Sequence, residues 1–253
     1  MKRRGSLIAV SLASSLAIAG CSSDSSSAGG EATTTLTVLA ASSLTDAFPE
    51  IGTAFSSQEP GVELRFSFAG SQELVAQADS GAPADVLALA GTGSLETLQP
   101  SSEDPTVFAH NRLTIIVPTG NPAGIESITD LADPEVKVSL AGPEVPAGGY
   151  ALEAFNKAGI AVGPVSEETE VKAVVTRVAI GGADAGVVYV TDAIASDAEI
   201  ESVPIAERYN VVATYPAVTL NTSENADLAQ KFVDFLITDE AQQILDEYGF
   251  RAP

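Results

Sequence analysis

The feature of the sequence that most constrains the fold is a regular alternation of short apolar runs and amphipathic segments between residues 34 and 248. The run at 34–40 is apolar and β-branched, and the stretch 61–68 alternates apolar with polar residues, so both are predicted to be strands. Apolar residues at helical spacing predict helices over 44–55 and 171–180. Because helices lie between consecutive strands, the alternation predicts an α/β fold with mostly parallel sheets flanked by helices.

The same two patterns predict the other elements of the chain. Further strands are expected at 85–90, 112–117, 136–140, 185–190 and 210–220, and further helices at 72–80, 125–131, 149–157, 226–237 and 241–248. Glycines follow several of these helices, at the position where a helix commonly ends on a left-handed residue. No internal sequence repeat or long linker interrupts the region, and its length suits one large domain or two ordinary ones.

The first 20 residues have the composition of a secretory signal peptide. Three basic residues, Lys2, Arg3 and Arg4, precede the apolar run Leu7–Ala19. This run is shorter than the roughly 20 residues that a membrane-spanning helix needs. Residues 1–20 are therefore expected to direct export and then to be removed.

A cysteine follows the predicted signal peptide directly. Cys21 is the only cysteine of the chain, and the segment 18–21 (Ile-Ala-Gly-Cys) resembles a bacterial lipobox. We therefore expect Cys21 to become the lipid-modified first residue of an extracytoplasmic protein anchored to the cell membrane, with residues 21–33 as a flexible tether. The alternative is an ordinary signal peptide followed by a stray cysteine.

Charge and residue counts exclude several classes of function. The chain has 12 Lys and Arg residues against 34 Asp and Glu residues, so it lacks the basic surface of a nucleic-acid-binding protein. Loss of residues 1–20 removes three basic residues and no acidic ones, which changes the net charge from −22 to −25. An apolar content of 45% is too high for a disordered acidic chain. One cysteine and one histidine exclude an internal disulfide and metal sites rich in either residue.

Three predicted strand-to-helix junctions are rich in small residues, namely 41–46, 69–73 and 143–149, and the first two add hydroxyl groups. In open α/β sheets, ligands bind beyond the carboxyl ends of strands, near helix N-termini. The unpaired N–H groups and the dipole at such an N-terminus attract anions. For any one junction, helix capping alone is the simpler explanation.

Seven stretches of the chain resemble one family of binding proteins. They are LTVLAASSLTDAF, FSFAGSQELVAQADSGAPADV, NRLTIIVPTGNPAGI, PEVPAGGYALEAF, AGVVYVTDA, YPAVTL and AQQILDEYGF, within residues 34–253. The chain is similar in these stretches to the extracytoplasmic molybdate-binding proteins of ABC transporters. The resemblance implies the type II periplasmic-binding-protein fold, in which a ligand cleft separates two lobes. Residues 34–113 with 218–253 are expected to form lobe 1, and 114–217 lobe 2.

The resemblance also implies which residues bind the ligand. Carried over position by position, the molybdate-binding residues are Ser43, Ser71, Ala147, Val171 and Tyr189. Hydroxyl groups would donate from the two serines and the tyrosine, and backbone N–H groups from the other two. Ser42 is a rival for the role of Ser43. Molybdate or tungstate is then the transported ligand, no cofactor is implied, and molybdenum enters only as the oxyanion, without direct protein ligands to the metal.

The expected partners follow from the same resemblance. They are the molybdate oxyanion, the membrane permease and ATPase subunits of an ABC importer, and the membrane itself through lipidated Cys21. No nucleic-acid partner is expected, and the protein is expected to be a monomer.

The sequence departs from the family pattern at three places. Pro49 lies inside the predicted first helix, where it is expected to kink the helix and reorient the Ser43 end. The loop before Pro146 is one residue shorter than in relatives, which makes the assignment of Ala147 less secure than that of the serines. Residues 91–93 (Gly-Thr-Gly) replace an acidic-aromatic pattern.

Two alternatives to molybdate capture remain. The same fold could bind another oxyanion, such as sulfate or phosphate, or a small organic anion. An enzyme or adhesion protein on this scaffold is a more distant alternative. A Ser-His-Asp triad would have to use His110, and no G-x-S-x-G motif is present, so the protein is not expected to be an enzyme.

Overall fold

The computed structural model describes residues 33–93, 95, 98 and 104–253. The predicted signal peptide, Cys21 and nearly all of the tether lie outside the described residues. In the described part of the chain, no helix is both long and apolar enough to cross a membrane.

Strands and helices alternate along the chain as the sequence predicts. The strands are β1 Thr34–Ala41, β2 Val62–Ala69, β3 Val86–Ala88, β4 Thr106–Pro118, β5 Val138–Ala141, β6 Ser166–Glu168, β7 Ala185–Tyr189, β8 Ile200–Pro204 and β9 Val212–Thr219. The helices are α1 Phe48–Gln58, α2 Ser71–Asp79, α3 Pro146–Ala158, α4 Val171–Ala179, α5 Val190–Ile194, α6 Ala226–Phe235 and α7 Asp239–Glu247. Short 3₁₀ helices occupy Ser42–Leu44 and Ile128–Ala132. The α/β prediction is therefore confirmed.

The strands form a mixed sheet in the order β2-β1-β3-β9-β4-β7-β5-β6, and β8 also pairs with β4. The pairings of β1 with β2 and β3, and of β5 with β6 and β7, are parallel. Every pairing of β4 and β9 is antiparallel. The sheet is thus less parallel than predicted, because the two long strands in its middle run against their neighbours.

The long strand β4 changes partners along its length. Residues Thr106–Arg112 pair with β9, whereas Leu113–Ile116 pair with β7. This exchange lies at the proposed boundary between the lobes near residue 113. Strand β9 pairs with β3 and with the first part of β4. The connection from β8 back to this half of the sheet is therefore residues 205–211, which precede the lobe boundary expected at 217.

Strand β1 is covered on both faces. Leu36, Val38 and Ala40 belong to the main hydrophobic core, in which α1 and α6 also pack. Leu39 points to a second cluster that includes Leu74 of α2. Burial on both faces is typical of parallel strands covered by helices, and it fixes the position of the residues that follow β1.

Pro49 does not kink a helix, so that expectation is wrong. The sequence predicts a helix from residue 44, but α1 begins at Phe48 and Pro49 lies in its first turn. A proline there removes no helical hydrogen bond, because the first N–H groups of a helix have no partner within it. The preceding residues instead form the 3₁₀ helix Ser42–Leu44.

Candidate functional site

A small cavity lies where several strands end and helices begin. The space inside it is about 200 Å³ including open solvent, and its walls come from the ends of β1, β2, β3 and β7 and from the starts of α2, α3 and α4. The lining residues are Ala41, Ser42, Ser43, Ala69, Gly70, Ser71, Ala90, Val145, Pro146, Ala147, Val171 and Tyr189. The structure therefore brings all five sequence-predicted binding residues to one cavity, with Ser42 beside Ser43.

A larger groove lies between α1 and α7, but its charge does not suit an anion. Its volume is about 1160 Å³ including open solvent, and four carboxylates contribute to its lining: Asp46, Glu50, Glu240 and Glu247. In contrast, no charged side chain among the described residues lines the small cavity. Anion binding is favoured in the small cavity because repulsion by carboxylates is avoided there.

Ser71 lies at the start of α2, where its hydroxyl oxygen already accepts a hydrogen bond. The backbone N–H of Ala90 donates to Ser71 Oγ over 3.0 Å. A serine hydroxyl has one hydrogen to donate, and this contact leaves that hydrogen available. Since Ser71 is buried and lines the cavity, its hydroxyl is suited to donate to a ligand.

Ser43 lies in the 3₁₀ helix after β1, and its hydroxyl is in contact with a buried tyrosine. The distance from Ser43 Oγ to the Tyr215 hydroxyl is 2.9 Å. Asn111 Nδ2 in turn donates to the Tyr215 hydroxyl over 3.3 Å. Ser43 is thus one end of a buried polar network that reaches the two central strands β4 and β9.

Tyr189, at the end of β7, has a buried hydroxyl without a hydrogen-bond partner among the described residues. Such a group is costly to bury, by about 1–3 kcal/mol, unless a ligand or water pairs with it. Burial raises the pKa of this phenol well above its usual value, and the nearby hydroxyl group of Tyr215 acts in the same direction. Tyr189 therefore stays protonated and can donate.

Two helix N-termini complete the donor set. Ala147 is the second residue of α3, and Val171 is the first residue of α4. The first N–H groups of a helix have no acceptor within the helix, and the helix dipole makes them favourable to anions. Both residues are buried and line the cavity.

Glycines allow these helix starts to come close to their neighbours. A Cβ at Gly148 would lie 2.2 Å from the carbonyl oxygen of Ala141, so only glycine lets α3 start directly against the end of β5. A Cβ at Gly70 would lie 2.7 Å from the carbonyl oxygen of Thr169, which precedes α4. The sequence predicts α3 only from residue 149, because Pro146 and two glycines obscure the helical pattern.

A charged cluster lies beside the cavity. Lys172 forms an ion pair with Asp46, and its Nζ lies 4.0 Å from Oδ1 of Asp192. Asp192 is buried, and its Oδ2 accepts from the Tyr189 N–H over 3.2 Å. Burial raises the pKa of Asp192 to about 7, although Lys172 opposes this shift. This ion pair leaves Lys172, at the start of α4, only partly exposed.

His110 does not line the cavity. It lies on β4, where its backbone pairs with Arg251 and its Nδ1 is 3.3 Å from Thr214 Oγ1. Across the described residues, no group of three or more His, Cys, Asp or Glu side chains could hold a metal ion.

The sequence did not single out Tyr215 and Asn111. Both are buried polar residues within strands that are otherwise apolar. A polar side chain at a core position of a strand is the only signal that could have indicated them, and it does not reveal a partner.

Comparisons with known proteins show the family of the chain. Residues 36–251 match the model of the family described as bacterial extracellular solute-binding protein. The chain belongs to this family. The molybdate-binding protein ModA of Mycobacterium tuberculosis is 36% identical over 252 residues, which are 98% of this chain and 97% of the relative. The molybdate-binding protein ModA of Haemophilus influenzae is 31% identical and covers 86% of this chain and 90% of its own length.

A solved structure shows the same fold. The periplasmic molybdate-binding protein of Azotobacter vinelandii superposes with a TM-score of 0.72 over 86% of this chain and 99% of that one, at 20% identity. The family is described as one of extracellular solute-binding proteins, so membership places this chain among proteins that bind solutes.

Proposed function

We propose that this solute-binding protein captures molybdate (and tungstate) and delivers it to the permease and ATPase subunits of an ABC importer. The observation that carries the proposal is the uncharged cavity in which the Tyr189 hydroxyl, without a hydrogen-bond partner among the described residues, joins Ser43 and Ser71. The backbone N–H groups of Ala147 and Val171 add two more donors. Molybdate has four acceptor oxygens and no hydrogen to donate, so it matches such a site.

The donor set is large enough for tight binding. A hydrogen bond to a charged group contributes roughly 1.5–3 kcal/mol, so five such bonds would contribute about 7–15 kcal/mol before the costs of binding. This range includes micromolar and nanomolar dissociation constants. Closure of the two proposed lobes around the anion would exclude water and present a closed form to the importer.

The relatives support molybdate over other anions. ModA of M. tuberculosis, which the chain matches over nearly its full length, is named a molybdate-binding protein. Sulfate is also a tetrahedral dianion, but it is smaller, and a rigid cavity sized for molybdate would leave some donors unpaired around it. Tungstate is nearly the same size as molybdate and should bind comparably.

Isothermal titration of the mature body, residues 31–253, with molybdate, tungstate and sulfate tests the proposal. We expect tight one-to-one binding of the first two and no heat from sulfate. Tyr189→Phe should weaken molybdate binding about tenfold or more, because one charge-assisted hydrogen bond is lost. His110→Ala, which removes a side chain that does not line the cavity, is the matched control and should bind as the parent does.

Tight sulfate binding would contradict the assignment of the ligand, and so would a parent protein that binds none of the three anions. Equal losses in Tyr189→Phe and His110→Ala would contradict the assignment of the cavity.

We further infer that the protein is anchored to the membrane by lipid on Cys21. The basic start, the short apolar run and the lipobox-like segment support this step. Cells that express the full chain should incorporate labelled palmitate into it, and Cys21→Ser should abolish the label. Retention of the label in that variant would contradict lipidation at this cysteine.

A further inference from the structure

The direction of the hydrogen bonds around Ser43 decides whether its hydroxyl can donate to an anion. A serine hydroxyl both donates and accepts, and the 2.9 Å contact between Ser43 Oγ and the Tyr215 hydroxyl is compatible with either direction. If Ser43 donated to Tyr215, it would present a lone pair to the cavity and repel an oxyanion.

The backbone of β4 settles the orientation of the Asn111 amide. The N–H of Arg112 donates to Asn111 Oδ1 over 2.8 Å, and a backbone N–H can only donate. The atom that faces it must therefore be the amide oxygen. The amide nitrogen then faces two hydroxyl groups, at 2.8 Å from Thr191 Oγ1 and 3.3 Å from the Tyr215 hydroxyl.

The orientation of Asn111 is passed on to Tyr215. Because the Tyr215 oxygen accepts from Asn111 Nδ2, its own hydrogen is free to point to Ser43 Oγ. Ser43 then accepts with one lone pair, and its hydrogen is left for the cavity. This is the same arrangement that the Ala90 N–H imposes on Ser71.

We propose that Asn111 and Tyr215 are positioning residues that orient the Ser43 hydroxyl as a hydrogen-bond donor to the bound oxyanion. Neither residue lines the cavity, and both act through Ser43. The inference rests on the proposed function, since it concerns the same anion site. It assigns to the two central strands a part in ligand selection as well as in connecting the proposed lobes.

Burial and ring packing fix the positions of Asn111 and Tyr215. Tyr215 and Asn111 lie on the paired strands β9 and β4, and both side chains are buried. The Tyr215 ring packs edge-on against Phe250 at a centroid distance of 5.2 Å and against Phe108 at 6.2 Å. Burial also raises the pKa of the Tyr215 phenol, so its hydrogen is retained.

A double-mutant cycle with molybdate as the probe tests the inference. The proteins are the parent, Ser43→Ala, Tyr215→Phe and the double variant, each titrated calorimetrically. Tyr215→Phe keeps the ring but frees the Ser43 hydroxyl to rotate, so we expect affinity to fall about tenfold. In the Ser43→Ala background, the same change should alter affinity less than twofold. A purely structural role of Tyr215 would lower affinity by the same factor in both backgrounds.

Asn111→Asp gives a second, independent measurement. Both atoms of the new carboxylate accept, so Tyr215 would donate to it and Ser43 would donate to Tyr215, which turns a lone pair towards the anion. We expect this change to lower molybdate affinity by a larger factor when Ser43 is present than in Ser43→Ala. Tyr209→Phe removes a hydroxyl from a half-buried tyrosine whose ring lies under Arg208, and it should bind as the parent does.

The outcomes separate this inference from the proposed function. A parent that binds no molybdate overturns both. A parent that binds, together with additive effects in the cycle or a Tyr215→Phe affinity within twofold of the parent, overturns the positioning role alone. Circular dichroism and unfolding midpoints without ligand establish that each variant is folded.

Discussion

Two parts of the body have the same arrangement of strands and helices but supply different chemistry. The first unit is built on β1, β2 and β3, with β1 in the middle. The second unit is built on β5, β6 and β7, with β5 in the middle, and all four pairings are parallel. The first unit contributes the serine hydroxyls at the ends of β1 and β2. The second contributes backbone N–H groups at the starts of α3 and α4, and Tyr189 at the end of β7. Strand ends thus fix where donors meet, while residue type decides which donors they are.

In both units, an aspartate side chain accepts a hydrogen bond from a backbone N–H. The donor lies in β1 in the first unit and directly before β5 in the second. The Thr37 N–H donates to Asp85 Oδ2 over 2.7 Å, and the Lys137 N–H donates to Asp184 Oδ2 over 2.9 Å. Asp85, however, also accepts from Ser223 Oγ at 2.6 Å and from Asn225 Nδ2 at 3.3 Å. Asp85 is buried, whereas Asp184 is half-buried. The hydrogen bonds of Asp85 therefore connect the loop before α6 to the first unit.

The largest expected effect is the difference in stability between a variant that lacks Asp85 and one that lacks Asp184. Asp85→Ala should lower the free energy of unfolding by about 3 kcal/mol, because it leaves three part-buried donors without an acceptor. Asp184→Ala, the matched control, should lower it by less than about 1 kcal/mol, because water can replace the lost acceptor at a half-buried site. Urea unfolding of the two variants beside the parent measures both values.

Equal losses in the two variants would mean that the additional contacts of Asp85 with the loop after β9 contribute nothing. Molybdate affinity should stay unchanged in folded Asp184→Ala, since this residue is not among the cavity lining.

The sequence predicts some elements of both units closely. Strands β1, β2 and β7 and helices α2 and α4 are recovered within about a residue, whereas α1 starts four residues after its predicted start. The sequence patterns did not predict β6, β8 or α5, since three to five residues are too few to show a period. Strand β4 starts at Thr106, six residues before its predicted start, because polar Asn111 and half-buried His110 interrupt the apolar run.

The repeated topology itself was hidden from the sequence. The two units share no detectable sequence repeat. A buried parallel strand requires only apolar residues, and a helix requires only apolar residues at helical spacing, so different sequences can form the same arrangement. The residues at the cavity could be named because the family resemblance maps them one by one. Ser43, Ser71 and Tyr189 are more than 25 residues apart in the sequence. Their convergence on one cavity depends on tertiary contacts, which a local sequence pattern does not predict.

A smaller effect should come from the one buried carboxylate that lacks full pairing, at Asp192 in the second unit. One oxygen accepts from the Tyr189 N–H, and the other has no hydrogen-bond partner among the described residues. Burial raises its pKa from 3.8 to about 7; Lys172 opposes the shift, and Asp46 and Glu170 add to it. Asp85, by comparison, has hydrogen-bond donors at both carboxylate oxygens.

The sign of the pH dependence follows from this raised pKa. Between about pH 4 and pH 7 the folded state holds a proton on Asp192 that the unfolded state has lost, so stability decreases as pH rises through this window. Asp192→Asn is always neutral and keeps an acceptor for the Tyr189 N–H. Without ligand, it should raise the free energy of unfolding at about pH 8 by on the order of 2 kcal/mol, because Lys172 offsets part of the burial penalty in the parent.

Urea unfolding of the parent and Asp192→Asn from about pH 4 to pH 8 measures this difference. The gain should shrink towards zero at the acidic end, where the parent carboxyl is protonated in both states. Asp197→Asn, which neutralises an exposed carboxylate beyond the same helix, is the control and should shift stability little at any pH. A gain that is the same at both ends of the range would show that Asp192 acts through packing and not through its charge, and the contrast with Asp85 would then lie in geometry alone.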